Sequence, residues 1–228
     1  MASNARDAVL LACVEALCRW KRPSTGAWAL IGNAATRLGL GCPTSPDVID
    51  CVTRDGLGVV ELEPMLRVVT EARLGSRLGA EVSCLKVAQD TVQVSVASSS
   101  AVVAVRLHVL ASEDDLSQRS RWPLARLQAA SWPGWQCTAL VAQPSMLLAD
   151  ALQRWAADAT GAGDEVRWLC AHGVVDPDMA VIAGRAGRAD ASSPESLWAS
   201  ARARRDELPV ELHAWIERCG SAQRMSHG

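Results

Sequence analysis

A chain of 228 residues that is 49% hydrophobic has enough apolar material for one large domain or two small ones, which argues against disorder over most of its length. Its net charge of −2, with arginine supplying nearly all the positive charge, provides no global field for nucleic acid or an anionic membrane. No apolar run approaches the ~18 to 20 residues that span a bilayer, and no basic start leads into a signal-like apolar core. A soluble cytoplasmic protein is therefore expected, intracellular to its own cell or to an infected host.

The composition is abnormal in one respect: there are nine Trp but no Phe and no Tyr, while Lys (Lys21, Lys86) and Asn (Asn4, Asn33) occur twice each. All the depleted types use A/T-rich codons, which points to a very GC-rich gene of viral or high-GC microbial source. Core aromatic packing falls to Trp, and each indole N–H needs a partner when buried. The eight cysteines are scattered through mostly apolar patterns. In a chain without a secretion signal they are expected to be buried free thiols rather than a disulfide framework.

In chain order, Arg6 to Trp20 reads as an amphipathic helix with Leu10, Val14, Leu17 and Cys18 on one face, stopped by Lys21-Arg22-Pro23. Ser24 to Gly41 reads as a second, central helix: Ser24 and Thr25 are good caps, Ala27, Leu30, Ile31, Ala34, Ala35 and Leu38 recur at helical spacing, and Gly39 and Gly41 end it. That reading puts Ala27 in the first turn, where orphan N–H groups and the helix dipole favour negative charge. Ser45-Pro46-Asp47 is a start signal for a short helix with Val48, Ile49 and Val52, and Glu61 to Leu74 reads as another.

The period then changes to two. Glu81–Val87, Thr91–Ala97 and Ala101–Leu110 are expected as consecutive strands, with Val103, Val105, Leu107 and Val109 on one face of the third and Arg106 and His108 on the other. Ser112 to Arg121 is an acidic loop, and Trp122 to Trp135 an irregular tryptophan-rich stretch. Strands are expected at Cys137–Ala142 and Val166–Ala171, and helices at Pro144–Ala157, Glu195–Asp206 and from Pro209 onward, with a linker at Gly184–Ser193. The fold class is α+β: a helical N-terminal half packed on a mainly antiparallel sheet, with a mixed α/β and helical C-terminal portion. The organisation read from these elements is 1–121 (helices and sheet), 122–184 (Trp-rich connection and mixed segment) and 185–228 (linker and terminal helices), as separate parts or all one domain.

The order of parts, a capped helix, further helices, then strands with a histidine on the third, resembles the viral papain-like and ovarian-tumour-type cysteine proteases over roughly residues 24–116. Gly26-Ala27-Trp28 stands where those families carry Gly-Cys-aromatic. The resemblance implies Ala27 at the nucleophile position, His108 as general base, and Asp114 or Asp115 as the group that orients it. Alanine cannot form a thioester, so the chain as written lacks the nucleophile.

Other constellations have weaker spacing. Cys42, Cys51, Cys170 and His172 could supply four zinc ligands, yet their intervals do not match short-spaced ligand pairs, and no metal or cofactor is expected. Gly184 to Arg188 with Arg202, Arg204 and Arg205 is the basic cluster; it lacks phosphate-loop spacing. Trp122, Trp132 and Trp135 could form a stacking platform for a partner's side chains or for bases. The favoured function is a non-catalytic protein-interaction or assembly protein, with a protein partner or self-association. The alternative is a papain-like cysteine protease whose nucleophile is replaced at position 27. Binding of single-stranded RNA through the tryptophans and Arg202 to Arg205 ranks last.

Overall fold

The computed structural model describes residues 2–20, 28–44, 46, 48–53, 64, 68, 81–88, 91–97, 101–109, 123–129, 133–157, 159–177 and 194–222. The chain is α+β and divides into two compact units, Met1–Ala142 and Gln143–Gly228.

The first unit opens with helix α1 (Ala2–Trp20), whose Val9 to Val14, Ala16 and Leu17 are all buried. A helix apolar on so much of its circumference must be enclosed, and α1 lies against strands β5 and β7, defined below. Next comes strand β1 (Trp28–Ile31), then a helical turn α2 (Gly32–Ala35) that continues as a π-helical turn over Thr36–Leu40. Of the central helix expected from Ser24 onward, Trp28–Ile31 is strand and Gly32–Leu40 is helical, while 24–27 lie outside the described residues. All four β1 residues are buried and the strand pairs with a neighbour, so an apolar run on both faces had mimicked a helical stripe. Gly32 takes φ +68, a left-handed turn that a side chain would resist, and reverses strand into helix. Gly41, at φ +88, closes the π turn as the glycine reading expects.

Strand β2 (Val48–Thr53) replaces the short helix expected after Ser45-Pro46-Asp47. Its β-branched content and alternation outweigh the local start signal. Of the helix expected over Glu61–Leu74, only Pro64 and Val68 are described, and both are helical. Strands β3 (Glu81–Ala88), β4 (Thr91–Ala97) and β5 (Val102–Val109) follow as the alternation requires. The sheet order is β1-β2-β5-β4-β3, with β2–β5 parallel and the other pairs antiparallel. Among the described residues two strands thus precede the meander, where the sequence reading had placed helices alone.

Register sorts the side chains. Leu30, Cys51 and Leu107 align across three strands, and Ile49, Val105 and Val94 across β2, β5 and β4. All six are fully buried, as are Val96 and Val103, so this face is the core of the unit. A second sheet is the hairpin of β6 (Leu124–Gln128), which lies in the stretch read as irregular, and β7 (Gln136–Leu140), which falls on the strand expected at Cys137–Ala142. Past β7, Val141 bridges Leu30, and the Ala142 N–H donates to the Leu30 carbonyl at 3.0 Å.

Two ties hold α1. Arg37 donates from Nη2 to both carboxylate oxygens of buried Asp7, at 2.9 and 2.8 Å, and from Nη1 to the Thr44 carbonyl. Near the other end, Cys18 forms a disulfide with Cys137 on β7. The expectation of free thiols fails for this pair because the two cysteines, 119 positions apart in sequence, meet only when α1 packs on the hairpin.

The second unit is helical: α3 (Pro144–Ala156), α4 (Ala162–Ala171), α5 (Pro194–Ala203) and α6 (His213–Ala222), with 3-10 turns at Arg205–Glu207 and Val210–Leu212. The strand expected at Val166–Ala171 is part of α4, because Ala162, Glu165, Val166 and Leu169 share one buried face at helical spacing. Leu148, Leu152, Trp155, Leu169, Trp198, Leu212, Trp215 and Ile216 pack one core, with Trp198 and Trp215 edge to face at 5.6 Å. Arg154 bridges the two buried carboxylates, donating from Nε to Asp150 (2.9 Å) and from Nη2 to Glu165 (2.8 Å).

Two outcomes are expected. Cys18→Ser should destabilise the first unit by up to about 4 to 5 kcal/mol, the entropy of a loop of that length, read from urea unfolding under oxidising conditions, and reductant should lower the parent protein to the same value. Arg154→Ala, which removes the guanidinium from between Asp150 and Glu165, should cost about 3 to 5 kcal/mol, whereas Arg205→Ala, at an exposed pair with Glu217, should cost under about 1 kcal/mol.

Candidate functional site

The face of the five-stranded sheet opposite the core carries a polar row. Ile31, Asp50, Arg106 and Gln93 are register partners across β1, β2, β5 and β4, and His108 sits one step along β5, beside Val52. Asp50, Arg106, His108, Gln93 and Ser95 are all half-buried. They face this way because residues alternate along a strand: Ile49 and Cys51, or Val105 and Leu107, fill the core, and their neighbours in sequence must point out.

The imidazole Nε2 of His108 lies 3.1 Å from Asp50 Oδ1, a diagonal contact across the parallel β2–β5 pair. Beside it, the Nε of Arg106 donates to Gln93 Oε1 at 3.0 Å, and the Gln93 amide donates to Ser95 Oγ at 3.2 Å. A carboxylate that orients an imidazole equips it for proton transfer, and an arginine held by its Nε presents its terminal amines in a fixed direction. The face can thus accept, donate and, through His108, move a proton.

His108 lies off the apolar row, as its place on the strand required, but its partner is Asp50 rather than Asp114. Asp114 lies outside the described residues, as do Ala27, Trp122 and Trp132. Trp28, the residue after Ala27, is already in β1, so no helix opens there to activate a nucleophile. Trp135 is half-buried, between the Pro133-Gly134 turn and β7. The sequence reading missed Asp50. Its one signal was a carboxylate inside the apolar strand Val48–Thr53, which means little until β5 is laid beside it.

The zinc set does not assemble. Cys42 and Cys51 are buried in the first unit, while in the second His172 stacks on Trp168 at 3.8 Å and its Nδ1 lies 2.8 Å from the Trp168 carbonyl oxygen. Among the described residues no three His, Cys, Asp or Glu side chains are placed to hold a metal ion. Of the basic cluster, Arg185 and Arg188 lie outside the described residues, and Arg204 and Arg205 are engaged internally. Arg204 lies over the Trp155 ring at 4.9 Å and donates to the Trp155 carbonyl, and Arg205 pairs with Glu217.

Cys13, Cys51 and Cys170 are poor nucleophiles. Burial pushes Cys13 up to about 12, burial and then the Asp50 charge hold Cys51 well above the ordinary thiol value, and burial followed by the Glu211 charge pushes Cys170 up to about 11. In the folded protein at pH 8, iodoacetamide should leave Cys13 and Cys51 unmodified and label half-buried Cys170 slowly, its rate rising about tenfold per pH unit toward 11, as peptide mass spectrometry would read. Above pH 9 the unfolded chain releases thiol protons that the folded chain keeps, so this contribution is complete below pH 9 and declines above it.

No family model matches the chain, and no curated protein resembles it. Among solved structures, JHP933 from Helicobacter pylori is similar at a TM-score of 0.51 and 11% identity, over 99% of this chain and 95% of that one. A candidate nucleotidyltransferase of H. pylori is similar at a TM-score of 0.42 and 10% identity, over 97% and 96% of the two chains. The lower score is too small to support a shared fold, and what that protein's name says stays with that protein. The likeness to JHP933 replaces the resemblance to papain-like and ovarian-tumour-type proteases, and the strand at Trp28 leaves no place for it. Over almost its whole length, this chain shares its fold with JHP933.

Proposed function

We propose that the chain is a non-catalytic binding protein and that the polar face of its five-stranded sheet is the surface with which it recognises a partner. The observation that carries this reading is the paired row of Asp50–His108 and Arg106–Gln93–Ser95, half-buried and fixed before any partner arrives. Preorganised polar groups lose little entropy on binding, which is what recognition surfaces require. The thiol nearest to this row, Cys51, is turned into the opposite face and held protonated.

A second reading is favoured by the same 3.1 Å contact: Asp50 orients His108 as a general base for hydrolysis or group transfer. One set of measurements separates the two. Polar fragments titrated into ¹⁵N-labelled protein should shift resonances of residues 48–53, 93–97 and 102–108, and His108→Gln should weaken the effect several-fold. Ester, phosphoester and nucleotidyl-transfer substrates should show no turnover. Turnover that disappears in His108→Gln would establish the second reading, and shifts centred on Trp135 would move the recognition surface to the hairpin.

A further inference from the structure

Arg106 is treated unlike the arginines that make ion pairs. Arg19 pairs with Glu15, Arg37 with Asp7, Arg154 with Asp150 and Glu165, Arg167 with Asp164 and Arg205 with Glu217. Arg106 has a carboxylate directly across the sheet, Asp50, its register partner. Yet Asp50 reaches along the strand to His108, and among the described residues the hydrogen bond made by Arg106 runs from its Nε to Gln93. Gln93 is in turn hydrogen-bonded to Ser95, so the acceptor that aims the guanidinium is itself held.

An arginine whose Nε is occupied keeps its two terminal amines as a planar fork, the geometry that matches two oxygens of a carboxylate or phosphate. The charge is half-buried, so part of its hydration is already lost, and an incoming anion would recover that loss.

We infer that Arg106 is the anchor of an oxyanion subsite on the polar face, aimed by Gln93 and Ser95, and that the partner recognised there presents a phosphate or carboxylate group. This rests on the polar face being the recognition surface and adds the chemistry of what it recognises. Asp50 and His108 flank the subsite, and the Asp50–His108 contact keeps the carboxylate from occupying the fork itself. The bond to the anion is a charge-assisted hydrogen-bond pair, with no covalent step.

The test titrates the full chain with inorganic phosphate, phenyl phosphate and acetate at constant ionic strength, followed by calorimetry and by the Arg106 side-chain Nε resonance. Saturable binding of at least one anion is expected, weakened about tenfold or more in Arg106→Gln, weakened less in Arg106→Lys, which keeps the charge but loses the fork, and unchanged in Arg126→Gln, an arginine on the hairpin. Gln93→Leu should give an intermediate loss with native circular dichroism. A preference for the phosphates over acetate assigns a phosphorylated partner, and the reverse a carboxylate one. Absence of saturable binding by all three anions, or binding that survives in both Arg106 variants, overturns the subsite. If polar fragments still map to residues 48–53 and 102–108 in that case, the recognition surface stands and only its oxyanion chemistry falls.

Discussion

The parallel pairing of β2 with β5 is the constraint on which the first unit depends. It joins β1–β2 to the β3–β4–β5 meander, and its register sets which residue of each strand shares a face with which. Slipping β2 by one position against β5 would turn Ile49 and Cys51 away from the core and bring Asp50 into it, a change that loses hydrophobic burial and buries a charge. The core and the candidate site are two sides of one choice of register.

That choice explains why polar groups can sit on a sheet so heavily apolar. On the outward face each charged group meets a partner at the strand spacing that the pairing imposes: His108 reaches Asp50 diagonally, and Arg106 reaches Gln93 directly. The second unit solves a similar problem inside its core. Arg154 lies between Asp150 and Glu165, and Trp155 is held by Glu207 at its indole nitrogen (3.2 Å) and by the Arg204 guanidinium over its ring. With tryptophan the chain's one aromatic type, large apolar surface always comes with a polar nitrogen, and the Trp155–Glu207 bond shows the accommodation that this demands.

How much of this could be read beforehand depended on where the information lies. α1, the meander β3–β5 and α3 carry their period in their own residues, and the outward placement of His108 followed from alternation alone. β1 did not: Trp28-Ala29-Leu30-Ile31 is buried on both faces, and a short apolar run has no period to distinguish strand from helix. In β2 the local start signal of Ser45-Pro46-Asp47 competed with pairing to β5, a long-range interaction that local reading cannot weigh. α4 was misread although it carried usable marks, a glycine at φ +77 before the helix and Asp164 and Glu165 in its first turn. Asp50 became a site residue only through contact with His108, 58 positions away. The protease resemblance rested on a helix beginning at the wrong residue, so a single local error propagated into a whole functional lineage.

The Cys18–Cys137 bridge gives the first unit a further property. It turns everything between those two positions into a closed covalent ring, with the start of α1 outside it on one side and the whole second unit outside it on the other. A protease that severs one peptide bond within the ring therefore liberates nothing: the severed halves stay joined through sulfur and part company only when a thiol reagent is added.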